Sequence, residues 1–101
     1  MSNEIIISEF KRLVEFTKNK IDLLKKNKNI KEANQLNFKI RIFNNVINAI
    51  KSYPKKITLT NYKDLLDIQG IGKGSVERIK DIIVNGKLTE LADFKDTKNI
   101  K

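Results

Sequence analysis

The four glycines of the chain, Gly70, Gly72, Gly74 and Gly86, fall in one stretch, DIQGIGKGSVERIKDIIVNGKL, residues 67–88. Glycines around a lysine suit phosphate chemistry, and three arrangements compete for GIGKGS. A P-loop requires GxxxxGK[ST], so that successive amides wrap a triphosphate and the lysine reaches its outer phosphates. Here Lys73 lies between two glycines and Ser75 follows Gly74, so that spacing fails. A dinucleotide fold requires GxGxxG after a strand in a βαβ unit, and neither is present. The third arrangement is a tight turn between two short helices. Gly70 and Gly72 are then expected to take dihedrals that a side chain obstructs, leaving the backbone bare. Ile68 and Ile71 anchor the turn, and the amides at the start of the second helix point outward at the positive end of its dipole, where a phosphate fits. The alternative is a turn that only reverses the chain.

Other chemistry is scarce. Histidine and cysteine are absent, which removes the usual zinc sites, Ser-His and Cys-His pairs, histidine bases and disulfides. Asp64 with Asp67, and Glu77 with Asp81, stand at metal-pair spacing on helices, but no third ligand converges on either by sequence. Solvated helix charges account for them. No cofactor is expected from side chains.

The elements that must position the turn follow from periodicity. EIIISEFKRLVEFTKNKIDLLKK places Ile6, Phe10, Leu13, Val14, Ile21 and Leu24 at amphipathic-helix spacing. The polar KNKNIKEAN is either a loop or the solvated start of the next helix. A second helix is expected over residues 40–53, with Ile42, Phe43, Val46, Ile47, Ala49 and Ile50 on one arc and Pro54 as its stop. Its start is placed near Lys39–Ile40, because in a longer helix Lys39 would point into the apolar arc. KKITLT reads as a connector. Thr60 is the expected N-cap of a short helix that carries Leu65 and Leu66 inward. A further helix runs through Val76, Ile79, Ile82 and Ile83 to a left-handed cap at Gly86. LTELADF adds a short turn. The fold class is all-α, a compact domain of four helices and a possible fifth. One domain over residues 1–92 and a polar tail over 93–101 are expected, with no internal repeat.

A chain of 101 residues supports one modest core. No window is apolar enough to span a membrane and no secretory leader is visible, so an intracellular, monomeric protein is expected. The net charge is +9, from 21 basic and 12 acidic residues, and 18 of the basic residues are lysine. Abundant Lys, Ile and Asn also suit AT-rich coding. The excess is nevertheless localised: residues 31–63 carry seven basic groups and one acidic, while residues 64–101 carry seven of each. Such concentration fits a polyanion footprint.

LLDIQGIGKGSVERI matches the helix-hairpin-helix pattern, with Gln69 where proline is frequent. Together with NFKIRIFNNVINAIKSYP and the exit GKLTEL, it makes residues 37–92 resemble the small lyase-type amino-terminal domain of family-X DNA polymerases (polymerase beta-like). A related domain occurs in structure-specific nucleases that cut branched DNA. The resemblance implies binding to the DNA backbone, with no polymerase catalytic domain. In the family a lysine of this domain forms a Schiff base with a 5′-deoxyribose phosphate. Here its motif falls on Glu77-Arg78-Ile79, and a guanidinium cannot supply that amine. The assisting tyrosine falls on Phe43. Lys80 lies roughly 160° around the helix from Arg78. Lys73 and Lys80 remain as weak substitute nucleophiles.

Phosphate-binding positions of the family match Lys39, and a base-stacking position matches Phe38, for which core packing is the alternative. A second phosphate lysine matches Gly74, beside Lys73. The resemblance also implies a structural Na+ or K+ on the backbone carbonyls of Leu66, Ile68 and Ile71. The expected DNA contacts are thus Gly70, Ile71, Gly72, Lys73, Gly74, Ser75 and Arg78 on one backbone, with Phe38, Lys39 and Arg41 on a second stretch or a 5′-phosphate. The expected function is sequence-independent binding at gapped, nicked or branched DNA in repair or replication. The alternatives are a lyase using a non-standard lysine, or a module recruiting a polymerase or nuclease subunit.

Overall fold

The computed structural model describes residues 2–91, so the tail expected over 93–101 lies outside the described residues. Among these residues there are three α-helices, α1 (Ser2–Lys26), α2 (Ile30–Ser52) and α3 (Lys73–Asn85). Two 3-10 helices, Tyr62–Asp67 and Thr89–Leu91, complete an all-α chain with no strand among the described residues. Among the described residues no helix is long and apolar enough to cross a membrane.

The long helices α1 and α2 form an antiparallel hairpin joined by residues 27–29. The turn is a Schellman motif: the Asn29 N–H donates to the Leu24 carbonyl at 2.7 Å and the Lys28 N–H to that of Lys25 at 3.0 Å. Lys28 occupies the left-handed position, φ 62°, where glycine is usual. The Asn29 side-chain amide then donates to Glu32, in the first turn of α2, at 3.0 Å. The second helix therefore starts at Ile30, ten residues before the expected place. A helix stop without glycine left no mark in the sequence.

Ile6, Phe10, Leu13 and Val14 of α1 meet Phe43, Val46, Ile47 and Ile50 of α2 in the core. The Phe10 and Phe43 rings pack edge to face, 6.2 Å apart. Thr17 continues the buried stripe by returning its hydroxyl to the Leu13 carbonyl at 2.7 Å. Val76, Ile79 and Ile82 of α3, with Ile57, Leu65, Leu88 and Leu91, close the same cluster. Each such aliphatic side chain contributes about 1.5–3 kcal/mol through burial.

One buried carboxylate ties the ends of the chain. Glu9 accepts the Leu88 N–H at 2.9 Å and an Arg12 N–H at 2.8 Å. It thereby satisfies a buried amide that no helix can reach.

The connector over residues 53–61 is irregular, as expected, and held by asparagines. Asn3 donates to the Lys55 carbonyl at 2.9 Å and accepts the Ile57 N–H at 2.8 Å. Asn61, rather than Thr60, precedes the first 3-10 helix. Its side chain reaches back, accepting the Thr58 N–H at 2.8 Å and donating to the Lys56 carbonyl at 3.0 Å. The tighter 3-10 winding separates the expected inward pair: Leu65 is fully buried and Leu66 is exposed.

Candidate nucleic-acid interface

The first 3-10 helix, the turn over residues 68–72 and α3 make the hairpin. The Ile68 N–H donates to Leu65 at 3.0 Å, and the Ile71 N–H to Ile68 at 3.1 Å. Gly70 has φ 95°, a region that L side chains avoid. Gly72 differs from the expectation. Its backbone is extended, φ −104° and ψ −179°, which any residue adopts, and a Cβ there would meet nothing within 4 Å. Gly72 is thus bare surface rather than a conformational necessity.

Helix α3 opens without a side-chain cap. Its first bond runs from the Val76 N–H to the Gly72 carbonyl at 3.1 Å. The amides of Lys73, Gly74 and Ser75 precede that bond and have no carbonyl one turn back within the helix. Lys73 and Gly74 are exposed, whereas Ile71 and Ser75 are buried.

A Cβ built on Gly70 would lie 3.9 Å from that of Asn45, so the turn rests against α2. Seven residues before Asn45, on the same face of α2, stands Phe38. It is 61% exposed, which excludes the core-packing alternative. It lies in a shallow groove lined by Lys31, Asn34, Gln35, Phe38, Lys39 and Ile42. These positions recur at i, i+3, i+4, i+7, i+8 and i+11, one stripe along one helix.

Lys39 is exposed although α2 begins well before it. The arc it continues becomes buried only from Phe43 onward, where the rest of the fold covers α2. Arg41 is also exposed but lies roughly 160° around α2 from Lys39, with Phe38 between them in projection. The two cations therefore flank the ring instead of forming one clamp. Lys31, Asn34 and Gln35 were missed by placing the helix start too late, and Ile42 was read only as part of the apolar arc; extending α2 back to Ile30 reveals their common spacing.

Arg78 is held. Its Nε donates to Glu90 at 2.9 Å, its guanidinium covers the Phe43 ring at 5.1 Å, and its Nη1 lies 3.6 Å from a Cβ built on Gly74. The position that the resemblance aligns with a lysine thus holds a stacked ion pair between α3 and the second 3-10 helix. Glu90 was not singled out in the sequence, and only the fold brings it to Arg78, twelve residues away. Lys80 is exposed on another side of α3.

Asp81, considered above as half of a metal pair, instead fixes the chain exit. It accepts the Thr89 N–H and hydroxyl, each at 2.9 Å, and the Asn85 amide at 2.6 Å. Burial alone would raise its carboxyl pKa, but the three hydrogen bonds together outweigh burial and hold it below the usual value. Gly86 caps α3 at φ 75°, as expected, its N–H donating to Ile82 at 2.7 Å. Among the described residues no three His, Cys, Asp or Glu side chains gather as a metal site. The Leu66 carbonyl belongs to the first 3-10 helix and those of Ile68 and Ile71 to the turn, where that of Ile68 already accepts the Ile71 N–H. Its second lone pair is what it retains for a cation.

A bare hairpin, amides free at a helix start and an adjoining cationic face define a small all-α module of the nucleic-acid-binding class. The chain belongs to the helix-hairpin-helix domain family, whose model matches residues 1–88. Domains of that family generally bind DNA without sequence preference. No curated protein and no solved structure matches the chain.

Proposed function

We infer that this protein grips the backbone of gapped, nicked or branched DNA, including 5′-phosphate ends, in repair or replication. The observation that carries the reading is one continuous surface. The hairpin rests on α2 at Asn45, and the stripe from Ile42 to Lys31 leads away from it with Phe38 exposed in its middle. The amides of the exposed Lys73 and Gly74 supply donors for one phosphate. Lys73, Lys39, Arg41 and Lys31 supply charge, and the Phe38 ring supplies a face for a base that has left its stack. A monovalent cation on the turn carbonyls would stiffen the hairpin without touching DNA.

A gap or branch point suits such a surface better than intact duplex, because only there is a base free to stack. Resemblance to the family-X polymerase domain supports the same reading. The lyase alternative has less support, since the matching position holds a stacked guanidinium and Phe43 has no hydroxyl. Backbone contacts without base readout give dissociation constants of about a micromolar or weaker, rising steeply with salt. Fluorescence anisotropy on gapped 5′-phosphorylated and intact duplexes at two salt concentrations tests the proposal. Tighter binding to the gapped DNA is expected. Absence of binding to both, or equal binding that persists in Phe38→Ala, overturns it.

A further inference from the structure

A second surface lies at the other end of the molecule. Ile5 of α1, Leu59 of the connector and Ile83 of α3 surround a groove floored by Ile57, and Ile5 and Leu59 are half exposed. Lys56 borders this groove and also the next depression, whose rim carries Lys51, Lys55 and Lys56 with Glu4 its one acidic residue. The wall between them is preformed: Asn3 clasps Lys55 and Ile57, and Asn61 clasps Lys56 and Thr58. A surface fixed by four hydrogen bonds loses little entropy when a ligand arrives. The groove borders the C-terminal half of α3, roughly 15 Å along the helix from the hairpin amides, so both surfaces are available at once.

We propose that this groove docks an acidic amphipathic segment of a partner protein, apolar side chains on Ile5, Leu59 and Ile83 above the buried Ile57 and carboxylates on Lys51, Lys55 and Lys56. Charge selects this occupant. A second copy of a chain of net charge +9 would set lysines against lysines. A nucleic acid would leave the aliphatic floor unused, because it offers phosphates no donor and bases no aromatic face. A short amphipathic helix meets both requirements, with anchors on one side and acids on the other. The partner would thereby be brought to DNA held by the hairpin face. The inference stands on its own residues and does not require the DNA reading.

The probe is a fluorescein-labelled peptide of about 15 residues, leucines at helical spacing and glutamates elsewhere, titrated with the full chain. Saturable binding with a dissociation constant of about 10–100 µM is expected, weakened about tenfold by Leu59→Asp and by Lys55→Glu/Lys56→Glu. Leu59 is exposed, so the variant folds; circular dichroism checks this, and amide NMR shifts locate the peptide. Equal binding by a peptide with serine in place of leucine overturns the proposal, as does no saturation by about 1 mM. Competition by gapped DNA, or sedimentation showing a dimer broken by Leu59→Asp, assigns the groove to another occupant and overturns it also. DNA anisotropy scores the other surface separately, so either reading fails without the other.

Discussion

At the scale of single residues the informative group is Arg78 with Phe43 and Glu90. A guanidinium stacked on a ring and paired through Nε keeps its positive charge and supplies no amine. The wild-type chain is therefore expected to give no adduct when borohydride is added to an incised abasic duplex. Arg78→Lys alone adds an amine in the wrong state, because the Glu90 carboxylate favours the ammonium form. Arg78→Lys/Glu90→Gln removes that stabilisation and is expected to trap several times more adduct than the single variant. Equal trapping by both would mean that Glu90 does not govern the amine at that position. Glu90→Gln by itself should change stability by less than about 1 kcal/mol in urea titrations, since the pair is partly exposed.

At the scale of elements, the two hairpin glycines separate conformation from access. Gly70→Ala forces a side chain into φ 95° and should cost about 1–2 kcal/mol in chemical denaturation. Gly72→Ala should leave stability within about 0.5 kcal/mol and weaken DNA binding, because its Cβ stands in open space on the bare face. If both lose stability equally, the turn is more constrained than its dihedrals indicate. The α1–α2 turn gives the opposite sign. Lys28→Gly removes a positive-φ lysine and should raise stability by about 0.5–1 kcal/mol in thermal melts. Asp81 adds a pH dependence. Its carboxyl pKa is lowered in the folded state, so its contribution is present above the unfolded value and lost as pH falls through the folded one. Between pH 6 and pH 3 the wild type should lose more melting temperature than Asp81→Asn; an identical loss would remove the Thr89 contacts from the account.

The same elements explain what the sequence made legible. Helical periodicity announced α3, its Gly86 stop and the core stripe of α1, because one apolar side chain per turn faces one core. The start of α2 was hidden because its first half packs only on α1 and leaves most of its surface polar. Of that half, Ala33 alone is buried, and the helix before it stops at a positive-φ lysine, a position where glycine is usual. The late start cost the Phe38 stripe. Tertiary pairs such as Arg78 with Glu90 and Glu9 with Leu88 join residues whose spacing has no helical period. No pattern in the chain could have disclosed them.

At the scale of the whole molecule, charge is the quantity that tests which face meets DNA. Five of the seven basic groups of residues 31–63 stand in two places that α2 keeps apart. Lys31, Lys39 and Arg41 stand on its first half; Lys55 and Lys56 lie beyond its end, where Asn3 binds the Lys55 carbonyl and Asn61 that of Lys56. Thirteen residues of helix between Lys39 and Ser52 make that separation about 20 Å, twice the screening length at ordinary salt. Each cation that neutralises a phosphate adds close to one unit to the slope of log K against log salt. With Lys31, Lys39, Arg41 and Lys73 engaged, the slope on gapped DNA should be about −3 to −4. Lys31→Glu/Lys39→Glu should flatten it by about two units, whereas Lys55→Glu/Lys56→Glu should change it by less than one. Both double variants alter net charge by the same amount, so a field spread over the molecule would shift their slopes equally. Unequal slopes measured by anisotropy from low to moderate salt place the contact on the hairpin side; equal slopes would remove the site and leave only a basic protein near a polyanion.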